Sequence, residues 1–461
     1  MYTRRDTLEK ARVMHQQDSS TEVLTQAILR YAVERIRMNP PTLDGPKPEE
    51  TLRAMVGHTI GKEGLGGLEA LRIFTDVLAP ACISVDHPRF FSFVPAAPTE
   101  AATLFDLVVG ASSICGTSWL EAAGAVLAEN DALRWLSDLA GFPAGAGGVF
   151  VSGGTAGNLS ALITARSQWR KDPTNTTRGL IVTSEGAHSS VAQAAFVMDA
   201  DLKTVPCYGR MLGSELRNAI DELTSEDRAR VFAVVATSGT TNLGFIDDLA
   251  GIADVCGAEA IWLHIDGAYG AAGLAAPSIR DQFTGIERAD SFIVDPHKWL
   301  FAPFDCCALL YRSPEHARQA HRQHGDYLEV LYDGIWNPSD YAHHLSRRAR
   351  GLPFWFSLAT HGTDAYAAAV EQTLLLTQQA ADLIEASEHL DLILPPHLSV
   401  VIFKRCGWDA SAYTQWSQQL LERGEGFVMP TKYQGETVLR LCIVNPTTSE
   451  DDLAFILASL I

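Results

Sequence analysis

The stretch Ser291-Phe-Ile-Val-Asp-Pro-His-Lys-Trp-Leu300 decides how the rest of the chain is read. Residues 291–294 read as a short buried strand. Asp295 and Pro296 stop it, because proline has no N–H to give to a ladder. His297 and Lys298 then stand just past a strand end, where open α/β sheets bind ligands. Trp299, Leu300 and Phe301 surround the lysine with apolar groups. Burial favours the neutral amine. A neutral amine condenses with an aldehyde, so these surroundings suit a Schiff-base lysine. They also fit a lysine that snorkels out from a strand end, and the remainder of the chain has to choose.

Working outward, short apolar runs alternate with helical patterns over 180–183, 231–236, 260–265, 291–294 and 308–311. This is βα repetition, and it predicts a mostly parallel sheet covered on both faces. The turns after these strands hold the unusual residues: Glu185-Gly-Ala-His188, Thr237-Ser-Gly-Thr-Thr-Asn242 and Asp266-Gly-Ala-Tyr-Gly270. Further upstream, the strand Gly148-Val-Phe-Val151 runs into Ser152-Gly-Gly-Thr-Ala-Gly-Asn158 and then a helical pattern. Strand, glycine turn and helix N-terminus together make an anion site of backbone N–H groups. The turn is neither a nucleoside-triphosphate loop nor a clean dinucleotide fingerprint.

The flanks are less specific. Residues 20–38 carry apolar positions at helical spacing, ended by Asn39-Pro-Pro41, and helical patterns return at 49–57, 67–79, 99–112 and 120–140. Helices with so little core of their own are expected to pack on something else, a second subunit being the natural candidate. His87-Pro-Arg-Phe-Phe-Ser-Phe93 reads either as a pocket wall or as ordinary core aromatics. Residues 312–346 are polar, hold five histidines and read as a mobile, solvated segment. No carboxylate or cysteine completes a metal-ligand spacing there. After helices over 353–388, the expected end is a compact βαββα unit with strands at 399–404, 426–429 and 437–444.

The 461 residues are 47% hydrophobic and 20% charged, an ordinary globular balance. A net charge of −19, from 36 basic against 55 acidic residues, argues against nucleic acid and anionic membrane as partners. The polar start and the lack of an eighteen-residue apolar run lead to the expectation of a cytoplasmic protein without a membrane span. Eight cysteines without a C-x-x-C pair fit reduced thiols.

Taken together, the strand ends offer a phosphate-type turn at 152–156, an imidazole at 188, hydroxyls at 238–241, a carboxylate at 266 and a lysine at 298. Pyridoxal 5'-phosphate uses all of them: phosphate, aromatic ring, a ring nitrogen that wants a negative partner, and an aldehyde. Asp266 would keep the pyridine nitrogen protonated, with His188 on one ring face and Ala268 on the other. Taken alone, His188 also reads as a capping or core histidine.

His87-Pro-Arg-Phe-Phe91, Ser152–Asn158, Ala187-His-Ser-Ser190, Trp262-Leu-His-Ile-Asp-Gly-Ala-Tyr269 and Asp290–Trp299 resemble the group II pyridoxal-phosphate decarboxylases, from about residue 20 to the C-terminus. The resemblance implies a fold-type I aminotransferase-like α/β fold and a homodimer with shared active sites. It implies an N-terminal helical arm (1–80), a large cofactor domain (81–346) and a small α+β C-terminal domain (347–461). Lys298 resembles the Schiff-base lysine, Asp266 the pyridinium partner and His188 the stacking histidine. Gly153, Gly154 and Thr155 match the phosphate turn, and Asp295 and His297 stand where the family contacts phosphate, although Asn is familiar at position 295. Thr241 matches a hydroxyl near the ring. Tyr327, in Gly325-Asp-Tyr-Leu-Glu329, matches a mobile-loop tyrosine that, with His188, returns a proton to Cα. Arg440 matches an arginine of the small domain.

The expected reaction is decarboxylation of an L-amino acid to the amine and CO2. Phe91, Phe93 and Trp119, read as a substrate wall, lean towards an aromatic substrate. The alternatives are an acidic or diamino acid (glutamate, aspartate, 2,4-diaminobutyrate) or oxidative decarboxylation to an aldehyde. A non-catalytic scaffold would be expected to lack Lys298 or Asp266, and both are present.

Overall fold

The computed structural model describes residues 14–323 and 336–461. Its contacts divide into two compact units, Met1–His87 with Gln418–Gly426, and Pro88–Ser417 with Phe427–Ile461. In the first, helices span Ser19–Ile36, Glu49–Val56 and Gly67–Ile73. Asp18 starts the longest by accepting the Ser20 and Thr21 N–H groups, while Thr21 accepts the Asp18 N–H in return. Tyr31 meets Phe74 edge-on, and Arg35 grips Asp86 with two hydrogen bonds of 2.7 and 3.0 Å. No residue of the helix Ser19–Ile36 is buried.

The second unit is built on seven strands: β1 (Gly147–Val151), β2 (Leu180–Ser184), β3 (Asp201–Val205), β4 (Val231–Thr237), β5 (Trp262–Asp266), β6 (Ser291–Val294) and β7 (Cys307–Tyr311). Their order is β1-β7-β6-β5-β4-β2-β3, parallel from β3 through β6, with β7 antiparallel to β6 and β1. Successive side chains alternate faces. Ile181, Val235, Ile293 and Leu309 join one core, while Val182, Val234, Phe292 and Leu310 join the other. Both faces are covered, which explains the unbroken apolar runs. The register sets Thr237 opposite Asp266 and Asp266 opposite Ile293. The C-terminal ends of β4, β5 and β6 are therefore level, and their turns open into one place.

A second, antiparallel sheet follows: β8 (Leu390–His397), β9 (Val400–Arg405), β10 (Pro430–Tyr433) and β11 (Glu436–Cys442), in the order β10-β11-β9-β8. The mixed α/β architecture with a small C-terminal sheet is as expected, but several elements differ. β3 and β8 were not foreseen. β3 is too polar to show as a strand, and β8 contains Pro395 and Pro396; each is an edge strand, where polar residues and proline are tolerated. The strand expected at 426–429 lies at Pro430–Tyr433. The expected solvated segment at 312–346 also needs correction. Pro314–His321 is a helix that buries Ala317 and His321, and Tyr341 and Ala342 belong to the core. Proline in the first turn and burial at every fourth position account for that helix; its polar exposed face hid it.

One buried ion pair holds this unit from within. Arg347 gives two hydrogen bonds to Glu129, at 2.7 and 2.8 Å, on the helix Trp119–Leu139. Arg347 also donates to the Gly116 carbonyl, and Glu129 accepts the Gly351 N–H at 2.8 Å. No helix among the described residues is long and apolar enough to cross a membrane.

Candidate active site

The level strand ends enclose a cavity of ≈ 290 Å³. Gly153, Gly154, Thr155, His188, Thr241, Asp266, Ala268, Asp295, His297 and Lys298 all line it, so every residue expected to contact a cofactor is brought together. Asn158, Ser190, Tyr269 and Phe304 line it as well. Asn158 closes the glycine-rich stretch, one helical turn beyond Gly154, a spacing that could have marked it.

The helix Gly154–Trp169 begins at the cavity with Gly153 as its cap, and no side chain caps its first turn. Its leading N–H groups are left for an anion. A Cβ at Gly154 would be crowded, 3.1 Å from the Ala268 Cβ and 3.4 Å from Asp295 Oδ2. Asp266 ends β5, is buried, and accepts from Asn158 Nδ2 at 2.8 Å and from the Ala268 N–H at 3.1 Å. His188 is both things its sequence context allowed. It caps the helix Ser189–Val197, with Nδ1 accepting the Ser190 N–H, and it lines the cavity.

Lys298 departs from expectation in its charge. Its Nζ lies 2.9 Å from Oδ2 of the buried Asp295. Burial works against the ammonium, but Asp295, with help from Asp266, overrides it and raises the lysine above its ordinary value. Burial likewise disfavours the Asp295 carboxylate, and Lys298 and then His297 bring it below its ordinary range. The apolar neighbours seen in the sequence are present; the carboxylate three residues back decides the charge. Burial lowers the His297 imidazole, with Asp295 opposing. His297 Nδ1 accepts the Cys306 N–H, which leaves Nε2, 3.5 Å from Asp295, to carry the proton.

The expected aromatic wall is not assembled as drawn. None of Phe91, Phe93 and Trp119 is among the residues lining the cavity. Phe91 is a core residue whose backbone N–H pairs with Phe427, and Trp119 starts a helix, its N–H donating to Asn337 Oδ1. Phe93 is 61% exposed and groups with Phe90 and Phe427. Its φ of 54° lies in the left-handed region, unusual for a bulky residue. Arg440, on β11, holds that turn: Nη1 donates to the Phe93 carbonyl at 2.6 Å and Nε to the Asn242 carbonyl at 3.2 Å. The spacing carried no sign of this clamp. Tyr327 lies outside the described residues. Among the described residues no three His, Cys, Asp or Glu side chains gather as a metal site.

Residues 68–406 match the family model of the pyridoxal-dependent decarboxylase conserved domain. The chain belongs to this family. The decarboxylase is 30% identical over 421 residues to the aromatic-L-amino-acid decarboxylase of Bacillus atrophaeus, covering 88% of this chain and 87% of the relative. It is 33% identical over 381 residues to the L-2,4-diaminobutyrate decarboxylase of Rhizobium meliloti, covering 80% and 76%. In fold it is similar to mouse CSAD, with a TM-score of 0.87 at 24% identity over 96% of this chain and 98% of that one. The Oryza sativa TDC structure with PLP and tryptamine gives 0.86 at 22%, covering 96% of each. The protein is a pyridoxal-phosphate-dependent amino-acid decarboxylase of the fold-type I architecture. The cavity suits this cofactor: an uncapped helix start for the phosphate, a buried acceptor at Asp266 for the ring nitrogen, and an amine at Lys298.

Proposed function

We propose that the decarboxylase acts on an aromatic L-amino acid, releasing the amine and CO2, as a homodimer. The observation that carries the site assignment is the convergence of Lys298, Asp266, His188 and the uncapped helix start on one cavity. Bound pyridoxal phosphate supplies an aldehyde that takes up an amine, and a protonated ring that accepts the electron pair left when CO2 departs. The chain's own residues divide the rest of the work. Gly153, Gly154 and Thr155 hold the phosphate through backbone N–H groups, and His297, with its proton on Nε2, stands beside them. Asp266 keeps the ring nitrogen protonated. Ala268, small enough to leave room, and His188, from across the cavity lining, would flank the ring. Thr241, which lines the cavity, would offer its hydroxyl to the ring. Lys298 would offer the amine that holds the cofactor's aldehyde carbon. Tyr327 is assigned the proton that returns to Cα.

The aromatic preference draws support from the Bacillus atrophaeus relative and from Phe304, 57% exposed. Phe304 lines the cavity directly. The homodimer is supported by the helix Ser19–Ile36, which buries nothing yet exposes Val23, Ile28, Leu29 and Val33. The second reading, a diamino acid, rests on the Rhizobium meliloti relative. CO2 release measured across the twenty amino acids, DOPA and 2,4-diaminobutyrate decides. The highest kcat/KM is expected for an aromatic substrate, and a clear preference for diaminobutyrate would replace that assignment. Borohydride reduction of the holoenzyme should label Lys298; label on another lysine would remove Lys298 from its role.

A further inference from the structure

A continuous hydrogen-bonded chain of side chains runs beneath the cavity. The Trp262 indole N–H donates to Ser291 Oγ at 3.0 Å, and Ser291 Oγ lies 2.8 Å from His264 Nδ1. His264 Nε2 is 2.9 Å from Asn158 Oδ1. The Asn158 amide reaches Ser190 Oγ and Asp266 Oδ2, both at 2.8 Å, and Ser190 Oγ is 2.9 Å from His188 Nδ1. Trp262, Ser291, His264, Asn158, Asp266 and Ser190 are all buried.

Both ends of this chain are fixed by groups that can only donate. At one end stands the indole N–H. Ser291 Oγ accepts it and keeps its own proton free to be given to His264 Nδ1. Burial lowers His264 to about 4, with Asp266 opposing, so the ring is neutral, and a hydroxyl proton given to Nδ1 puts the ring's one proton on Nε2. Nε2–H donates to Asn158 Oδ1, which turns the Asn158 NH2 towards Asp266 and Ser190. At the other end stands the backbone N–H of Ser190, held by the helix and aimed at His188 Nδ1 at 3.2 Å. That nitrogen must offer a lone pair. Ser190 Oγ accepts from Asn158, so its own proton also points to His188 Nδ1. The Ser190 N–H and the Asp266 carboxylate set the direction of the chain, and the arrangement from Trp262 agrees with it. The reversed chain would set Asn158 Oδ1 against Asp266 and a protonated His188 Nδ1 against the Ser190 N–H.

We propose that Asn158, supported by His264, Ser291 and Trp262, is a positioning residue that commits His188 to the Nε2–H tautomer and keeps Asp266 an acceptor. This rests on the reading of His188 as a residue of the decarboxylase cavity. The consequence is chemical. With Nδ1 occupied by two donors, neutral His188 has one N–H to present, from Nε2. It can donate a hydrogen bond to a negatively charged substrate group. Surrendering that proton would leave an imidazolate, because Nδ1 has no proton of its own, so His188 is a hydrogen-bond donor and the proton returned to Cα comes from another group.

The test reads the tautomer itself. Holoenzyme is labelled with [15N]histidine, the His188 ring signals are assigned by their loss in His188→Gln, and long-range 1H–15N correlation distinguishes a protonated ring nitrogen from one with a lone pair. The expected wild-type result is a lone pair at Nδ1 and a proton at Nε2. Asn158→Ala removes the donor to Ser190 Oγ and lets that hydroxyl turn away, leaving the Ser190 N–H as the remaining donor to Nδ1, so its His188 signals should shift part of the way towards tautomeric averaging. Trp262→Phe removes the fixed donor at the far end without touching the cavity and should shift them in the same direction by less. A proton on Nδ1 in the wild-type protein overturns the proposal, whether or not either variant folds. Wild-type His188 signals persisting in a folded Asn158→Ala protein would overturn the part assigned to Asn158. No turnover is measured, so a wrong substrate assignment and a wrong tautomer are separate results.

Discussion

Replacing Asp266 by Asn changes one atom's chemistry in the buried lining of the cavity, and two effects of different size can be separated. The first is on the fold. Asp266 accepts from Asn158 Nδ2 and from the Ala268 N–H. An amide has only one acceptor oxygen, so one of these buried donors would face an NH2 group. An unsatisfied buried donor costs about 1–3 kcal/mol. The second effect is on rate. A charge preorganised in a water-poor site, against the group where charge develops, contributes about 3–5 kcal/mol to the barrier. At about 1.4 kcal/mol per factor of ten, that is roughly a hundred- to several-thousandfold loss in kcat. The rate effect is therefore expected to exceed the stability effect. Urea unfolding of the full-length protein measures the first, and CO2 release at saturating cofactor and substrate measures the second. A folded Asp266→Asn protein with near-native kcat would refute the role given to Asp266. A loss of kcat no larger than the loss of stability would reduce Asp266 to a structural acceptor.

Asp295→Asn removes the charge that raises Lys298, leaving burial to pull the amine down. At any pH below the lysine's own value more of it is then neutral, so cofactor capture by the cofactor-free protein should speed up and its pH midpoint move down; an unchanged midpoint, followed by absorbance, would contradict this. Glu129→Ala leaves Arg347 buried without its partner and should cost about 3–5 kcal/mol by urea unfolding. Replacing both residues by leucine should recover most of that loss, and a double variant as weak as the single one would show that the pair is not the cause. Tyr327→Phe should preserve CO2 release while shifting the product, under air, from amine towards aldehyde, ammonia and hydrogen peroxide, with dioxygen as the oxidant. Unchanged amine yield at unchanged rate would place the proton elsewhere.

The sequence by itself determined the alternation of strand and helix, because a strand buried on both faces must be apolar without interruption, as at 231–237 and 291–294. It marked the residues that line the cavity too, since glycine at 153–154, a carboxylate ending β5 and a lysine just beyond β6 each put an unusual residue type at a strand end. What it missed follows one physical rule. β3 and β8 are edge strands with too little burial to leave an apolar signature. Phe91, Phe93 and Trp119 looked alike as aromatic residues, but whether a ring enters a core or a cavity depends on which turn carries it. The charge of Lys298 depended on a 2.9 Å separation from Asp295, and neighbouring residue types do not report a distance. The direction of every hydrogen bond between Trp262 and His188 depends on side chains from four separate stretches meeting in one buried line, and only the tertiary structure brings them there.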